Sequence, residues 1–309
     1  MRKIKVAVIG TGRLGEIHAR IYKELKNAEL VAVCDIDKER LKQISAALNV
    51  AGFSNYEELL DKVEAVSIAV PTKLHFAVAE KFLQHHTHTL VEKPFTLTLE
   101  EADKLIQLAD KQGLILQVGH IERFNSAFAA TQKLIKNPKF IECHRLSPFP
   151  NRSLDIGAVM DLMIHDIDIV LGLVNSPVEK IEAVGVSVLT NMEDIANARI
   201  TFKNGCISNL TASRVADEWM RKIRIFQEDT YISLDYRKEQ AFIYKKTGTS
   251  IVKEALPIEK EQPLKKELSH FLECVAAHKE PLVSGRVARA AIAVALEIQQ
   301  KICQTQRKF

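Results

Sequence analysis

Val6-Ala7-Val8-Ile9-Gly10-Thr11-Gly12-Arg13-Leu14-Gly15 decides how this chain is read. An apolar run breaks into a GxGxxG, and apolar residues then recur at helical spacing from Leu14 to Leu25. In a strand-turn-helix context each glycine has a task. Gly10 permits the tight turn, Gly12 lets backbone approach an anion, and Gly15 lets the helix lie close on the strand. The turn, with Thr11, Arg13 and Leu14 between its glycines, turns free N–H groups toward a pyrophosphate. Asp35, 20 residues past Gly15 and at the end of the next apolar run, is placed to accept hydrogen bonds from ribose hydroxyls. Its carboxylate would repel a 2′-phosphate, which favours NAD, while nearby Lys38 and Arg40 leave NADP open. Asp35 also suits the N-cap of the following helix.

Outward from this turn one rhythm repeats over the first 120 residues. Lys5 to Ile9, Leu30 to Cys34, Ala65 to Val70, Thr89 to Glu92 and Ile115 to Val118 read as strands, most too uniformly apolar to have a wet face. Helical spacing fills the intervals at Leu14 to Leu25, Lys38 to Leu48, Leu74 to Leu83 and Leu99 to Gln112. The expected fold is α/β plus α+β: a doubly wound parallel Rossmann sheet over 1–120, then an open, mostly antiparallel sheet domain over 121–309. In that second part a helix is expected near Phe124 to Ile135, a strand at Phe140 to Leu146, and a long apolar helix from Gly157 to Val174. Alternating strands with an Asn204-Gly205 hairpin turn and two closing helices complete it.

Composition excludes several classes. With 309 residues, 47% apolar and 27% charged, the chain can bury a sizeable core and is not disordered. A net charge of +4, without basic tracts interleaved with aromatics, is no nucleic-acid footprint. Five cysteines, odd in number and without a CxxC pair, argue against a disulfide framework or a zinc site and fit a reducing cytoplasm. The first apolar run is too short for a signal peptide, and Ala288 to Ile298 falls short of the roughly 20 residues that cross a bilayer. No membrane or nucleic-acid partner is expected. Apolar side chains in Ile207 to Val215 and Ile223 to Phe226, on the exposed sheet face, are expected to support a homo-oligomer.

Two further segments carry chemistry. Glu92-Lys93-Pro94 ends a strand at the carboxyl edge, where open α/β sheets bind ligands. An ammonium there stabilises a developing alkoxide. In the apolar helix Asp161, His165 and Asp168 recur at i, i+4 and i+7, and an imidazole beside a carboxylate accepts a hydroxyl proton near neutral pH. A histidine satisfied in the core would show the same pattern. No ligand cluster with metal spacing is evident, and His85, His86 and His88 read as a solvated connection.

The GxGxxG, the strand-end Glu-Lys-Pro and the Asp-x3-His together resemble the glucose-fructose oxidoreductase, inositol dehydrogenase and rhizopine-catabolism (Gfo/Idh/MocA) family over nearly the whole chain. Pro71-Thr72-x-x-His75 is similar too. The resemblance implies NAD(P)-dependent oxidation or reduction of a sugar or cyclitol. Lys93, Asp161 and His165 would take the catalytic positions, and Pro71, Thr72, His75, Glu92 and His120 would lie around the cofactor. Val118 to Asn125 and Arg145 to Arg152 look like the branch that oxidises the 3-hydroxyl of UDP-N-acetylglucosamine. Arg123 and Arg152, with Arg145 in reserve, suit a sugar-nucleotide diphosphate, and Asn125 suits a sugar hydroxyl or a uridine edge. The chain departs from the family's pattern at Gln84-His85-His86 and at Asn125-Ser126. A free sugar or inositol as substrate, or a non-catalytic sensor of NAD and a sugar nucleotide, are the other readings.

Overall fold

The computed structural model describes residues 2–149 and 156–306. The first part of the chain contains β1 (Ile4–Ile9), α1 (Arg13–Glu24), β2 (Ala28–Cys34), α2 (Lys38–Leu48), β3 (Ala51–Phe53), β4 (Ala65–Ile68), α3 (His75–Gln84), β5 (His88–Glu92), α4 (Leu99–Gln112) and β6 (Leu116–Gly119). The six strands form one parallel sheet in the order β3-β2-β1-β4-β5-β6. Strand order reverses between β1 and β4, and at such a switch point ligands bind outside the carboxyl ends. Local chemistry marks the helix ends. A Thr98–Glu101 capping box opens α4 and left-handed Gly113 closes it; Asp37, not Asp35, caps α2. The short edge strand β3, with no fully buried residue, has no apolar run to announce it.

After α5 (Ser126–Gln132) and β7 (Phe140–Leu146), a π-helical turn at Val159–Met163 leads into α6 (Ile164–Val174). Then come β8 (Val178–Val186), β9 (Ile195–Phe202), β10 (Ile207–Ser213), β11 (Met220–Phe226), β12 (Thr230–Asp235), β13 (Gln240–Thr247), β14 (Ser250–Ala255), α7 (Pro263–Ala277) and α8 (Gly285–Gln306). The second sheet runs β14-β13-β12-β11-β7-β10-β9-β8, antiparallel except for the β7/β10 pair.

Two compact units result: residues up to Ile121 with Gln262–Arg289, and Glu122–Glu261 with the chain from Ala290 onward. The sequence reading assigns everything after 120 to the second domain. α7 is part of the first unit because Leu268, Phe271, Leu272 and Val275 are buried in the same core as Ala19 and Tyr22 of α1 and Val6 and Val8 of β1. Sequence distance hides that packing.

The second sheet buries one face. Ile141 and Cys143, Leu210 and Ala212, Ile223 and Ile225, and Ile232 and Leu234 are inaccessible to solvent, whereas Glu142, Asn209 and Arg224 alternate with them. The expectation that Ile207 to Val215 and Ile223 to Phe226 offer apolar side chains on an exposed sheet face is therefore corrected for most of them. Their larger aliphatic side chains mostly point inward. Instead, half-buried Phe140, Phe226, Tyr231 and Tyr244 form a ladder with centroid spacings of 5.7, 5.1 and 4.1 Å.

Deeply buried ion pairs brace this unit. Arg145 bonds Asp166 at 2.9 and 2.8 Å and Glu122 at 2.9 Å. Arg214 donates to Asp194 Oδ1 at 2.8 Å and to the Ile156 carbonyl at 2.7 Å, and neither Arg214 nor Asp194 touches solvent. Burial opposes ionisation of Asp194. Hydrogen bonds from the Leu189 and Thr190 N–H groups, Arg214 and the Thr190 hydroxyl prevail, and hold its carboxyl well below the usual range. Removing one partner strands a buried charge, so Arg214→Met should cost about 3–5 kcal/mol in urea unfolding at neutral pH. Because the folded pKa of Asp194 is depressed, its share of stability is present above an unfolded value of about 3.9 and is lost as pH falls below it. The gap between wild type and Arg214→Met should accordingly narrow in acid.

Candidate active site

At the switch point, the β1–α1 turn is dictated by close approaches of backbone. Gly10 has φ +87°, and a Cβ there would stand 2.7 Å from the Ala69 carbonyl oxygen, just beyond β4. A Cβ on Gly15 would fall 1.8 Å from the Gly10 oxygen. Neither site has room for a side chain. Gly12 is different, for a Cβ on it would meet nothing within 4 Å. It is the N-cap of α1, so no side chain at that position caps the first N–H groups of the helix. A glycine that internal packing does not require, at an uncapped helix N-terminus, fits the pyrophosphate of a dinucleotide. Thr11 is buried, Leu14 half-buried and Arg13 exposed.

Asp35 is tied to this turn. Its Oδ2 accepts the Thr11 N–H at 2.7 Å and the Thr11 hydroxyl at 2.9 Å, and Oδ1 accepts the Asp37 N–H at 2.9 Å. Arg40 stands 3.5 Å away. Burial works against the charge, yet the bonds from Asp37 and Thr11, with Arg40, keep the carboxyl below its ordinary value. A fixed anion thus lies at the end of β2, one strand from the glycine turn.

Next along the carboxyl edge, Pro71 is exposed and Thr72 begins a 3-10 turn that leads into α3. His75 is buried, with Nδ1 2.8 Å from the Pro94 carbonyl and Nε2 2.9 Å from the Val70 carbonyl. It ties the loop after β4 to the loop after β5. Burial pushes its pKa down, and a neutral ring can donate to only one of those carbonyls at a time. Glu92 is buried at the end of β5, where its Oε2 accepts the Lys93 N–H at 3.3 Å. Lys93 is half-buried, the Lys93–Pro94 peptide is cis, and His120 is buried just past β6.

In the second unit, Asp161 lies in the π turn and is buried, and His165 is half-buried in the first turn of α6. The i→i+5 bonding of a π turn replaces the regular α step, a feature that often marks functional sites. Asp168, on the next turn of α6, is buried. It accepts from Arg123 Nε at 2.6 Å and from Nη2 at 3.0 Å, and the Asp168 carbonyl accepts a third bond at 2.7 Å. The Arg123 guanidinium packs so tightly that a Cβ on Gly172 would lie 2.3 Å from it. Its hydrogen bonds brace α6. Asn125 is likewise engaged: Oδ1 caps α5 by accepting the Ala127 N–H, and Nδ2 donates to the Tyr236 carbonyl. Arg152 lies outside the described residues.

Sequence reasoning missed the residues that hold the start of this segment. The Glu193 carbonyl accepts the Ala158 N–H at 2.8 Å, and its side chain accepts the Val159 N–H at 3.2 Å. Gly157 permits this, since a Cβ would stand 2.1 Å from the Glu193 carboxylate. No local pattern pairs these distant residues. Among the described residues, no group of three or more His, Cys, Asp or Glu is arranged to hold a metal ion. His85 bonds Asp61 at 3.1 Å, and His88 Nδ1 accepts the Ile115 N–H at 2.9 Å. Nor is any described helix long and apolar enough to cross a membrane.

Comparison with known proteins agrees with this geometry. Residues 4–120 match the oxidoreductase family with an NAD-binding Rossmann fold, and 119–233 match the C-terminal domain of the same family. UDP-N-acetylglucosamine 3-dehydrogenase of Acidithiobacillus ferrooxidans is 40% identical over 97% of both chains. This chain belongs to the Gfo/Idh/MocA oxidoreductase family. The solved structure of that dehydrogenase matches with a TM-score of 0.93 over 98% of each chain. Myo-inositol 2-dehydrogenase of Thermotoga maritima is 27% identical over 94% of this chain and 93% of its own. Levoglucosan dehydrogenase, solved with NADH, shares the fold with a TM-score of 0.91 at 17% identity, over 98% of each chain. The chain is an oxidoreductase with an NAD(P)-binding Rossmann domain.

The two glycines make separable predictions. Gly12→Ala should leave thermal stability unchanged and weaken NAD(H) binding about tenfold or more, roughly 1.4 kcal/mol, by titration calorimetry. Gly15→Ala, which drives a Cβ into backbone, should lower the melting temperature without any cofactor present.

Proposed function

We propose that this chain oxidises the 3-hydroxyl of a UDP-N-acetylhexosamine, with NAD in preference to NADP. What supports the substrate most is the near-full-length similarity to the dehydrogenase of that sugar nucleotide. What supports NAD is the anionic Asp35, whose Oδ2 faces the glycine turn and would repel a 2′-phosphate. Bound NAD supplies the hydride acceptor. His165 takes the hydroxyl proton, since an imidazole titrates near neutral pH, and Asp161 fixes the ring's orientation. The Lys93 ammonium lowers the energy of the developing alkoxide.

A second reading, oxidation of a free sugar or inositol, has one observation in its favour. Arg123 and Arg145, two of the three arginines suited to a diphosphate, are spent on buried carboxylates. Arg152→Ala divides the two readings. Loss of turnover with UDP-N-acetylglucosamine supports the first, and retained activity on free sugars supports the second. Outward aromatic side chains on the second sheet support self-association. Light scattering should give a mass above the 34.7 kDa of one chain.

His165→Asn and Lys93→Met should each lower kcat about 10²- to 10³-fold, followed by absorbance of the reduced cofactor. If His165 is the base, the acidic limb of the pH profile disappears in His165→Asn and survives in Lys93→Met. The opposite pattern exchanges their roles. Wild-type turnover in both variants would end the dehydrogenase reading.

A further inference from the structure

Next to Lys93, the first unit buries ionisable groups that neither its packing nor the reaction above accounts for. Glu267 of α7 is completely buried, and neither carboxyl oxygen has a hydrogen-bond partner among the described residues. The Glu92 carboxylate acts on it electrostatically. Glu92 in turn has Oε1 3.2 Å from His18 Nε2, and His18 Nδ1 lies 2.8 Å from the Ser67 hydroxyl. Gln117 Oε1 is buried without a partner among the described residues as well. Gln117 spends its amide N–H on the Glu267 backbone carbonyl at 3.3 Å. The titratable groups around this carboxyl are therefore Glu92 from β5 and His18 and Tyr22 from α1, with Ser67 of β4 and Gln117 of β6 as neutral company.

A core does not leave so many polar atoms unanswered unless ordered water joins them. An ionised Glu267, with no donor and a second carboxylate close by, would be the costliest arrangement of all. As the neutral acid it becomes a donor. We propose that Glu267 is held un-ionised and, through buried water, donates to Glu92, making it a positioning residue that keeps a single oriented carboxylate beside Lys93. Glu92 is then held from two sides, by Glu267 and by the Lys93 N–H at Oε2, with His18 Nε2 standing 3.2 Å from Oε1. A Cβ on Gly119 would sit 2.7 Å from Oε1, so the carboxylate is also pressed against β6. The consequence for turnover rests on the dehydrogenase reading. The protonation state does not.

The test compares Glu267→Gln and Glu267→Leu with wild type. In infrared difference spectra at neutral pH, wild type minus Glu267→Gln should show the carbonyl stretch of a protonated carboxylic acid that shifts in D2O. Its absence overturns the proposal. Burial and Glu92 raise the carboxyl's pKa in the folded state, whereas the unfolded chain ionises it above about 4.3. Folding at neutral pH thus takes up a proton, and wild type should lose stability relative to Glu267→Gln as pH rises from 5 toward 8. Parallel melting curves across that range would contradict the proposal.

In turnover, Glu267→Gln keeps a neutral donor and should retain kcat within about twofold, a difference of roughly 0.4 kcal/mol. Glu267→Leu should lower kcat about tenfold with little change in KM, and shift the basic limb of the pH profile. Wild-type kcat and profile in Glu267→Leu would sink the positioning role. If no sugar nucleotide turns over even with wild type, it is the dehydrogenase reading that fails, and the infrared and stability results still decide whether Glu267 is neutral.

Discussion

The first unit depends on three stretches of backbone being closer together than side chains allow. Gly10 meets the chain just beyond β4, and Gly15 meets Gly10. With those contacts made, α1 starts hard against the sheet, its N-terminus opens at the switch point, and Thr11 is left where its N–H and hydroxyl both reach Asp35. The glycine turn and the carboxylate at the end of β2 are therefore one device. A larger residue at Gly15 would separate them before any ligand arrived.

The second unit reaches the same end by a different route, arginine against carboxylate in a dry interior. Arg145 joins β7 to α6 through Asp166 and to the start of the unit through Glu122. Arg123 joins that start to α6 through Asp168, and Arg214 joins the turn after β10 to Asp194 and to Ile156. Buried pairs of this kind contribute little net stability, yet they are severe on any rearrangement that parts them. Each one bears on the segment carrying Asp161 and His165. The guanidinium fork fixes angle as well as distance, which a packed leucine does not.

Which features were legible in the sequence follows from the range of the forces that make them. The parallel strands announce themselves because both their faces are buried, and the glycine turn because its spacing is local. β3 has too few residues and too little burial to leave a pattern. The membership of α7 in the first unit, and of Glu193 at the start of the π turn, rests on contacts between residues far apart in the chain. Arg123 and Asn125 show the limit of residue type as a guide to partners. An arginine suited to a phosphate is equally suited to Asp168, and an asparagine suited to a sugar is equally suited to a helix cap; only the fold says which partner is present.

The same reasoning explains why two carboxyl groups of equal burial titrate in opposite directions. Asp194 and Glu267 are both sealed from solvent. Asp194 receives the N–H groups of Val188, Leu189 and Thr190, the Thr190 hydroxyl and Arg214, and is held as an anion well below its ordinary range. Glu267 receives no such donor, has Glu92 for a neighbour, and is pushed far up. Burial sets the cost of a charge, and donors decide whether the protein bears it. A chain that elsewhere supplies five donors to one aspartate had the means to ionise Glu267. It leaves that carboxyl without a donor among the described residues, close to Glu92 at the end of β5, where one charge more would alter the field at the carboxyl edge of the sheet.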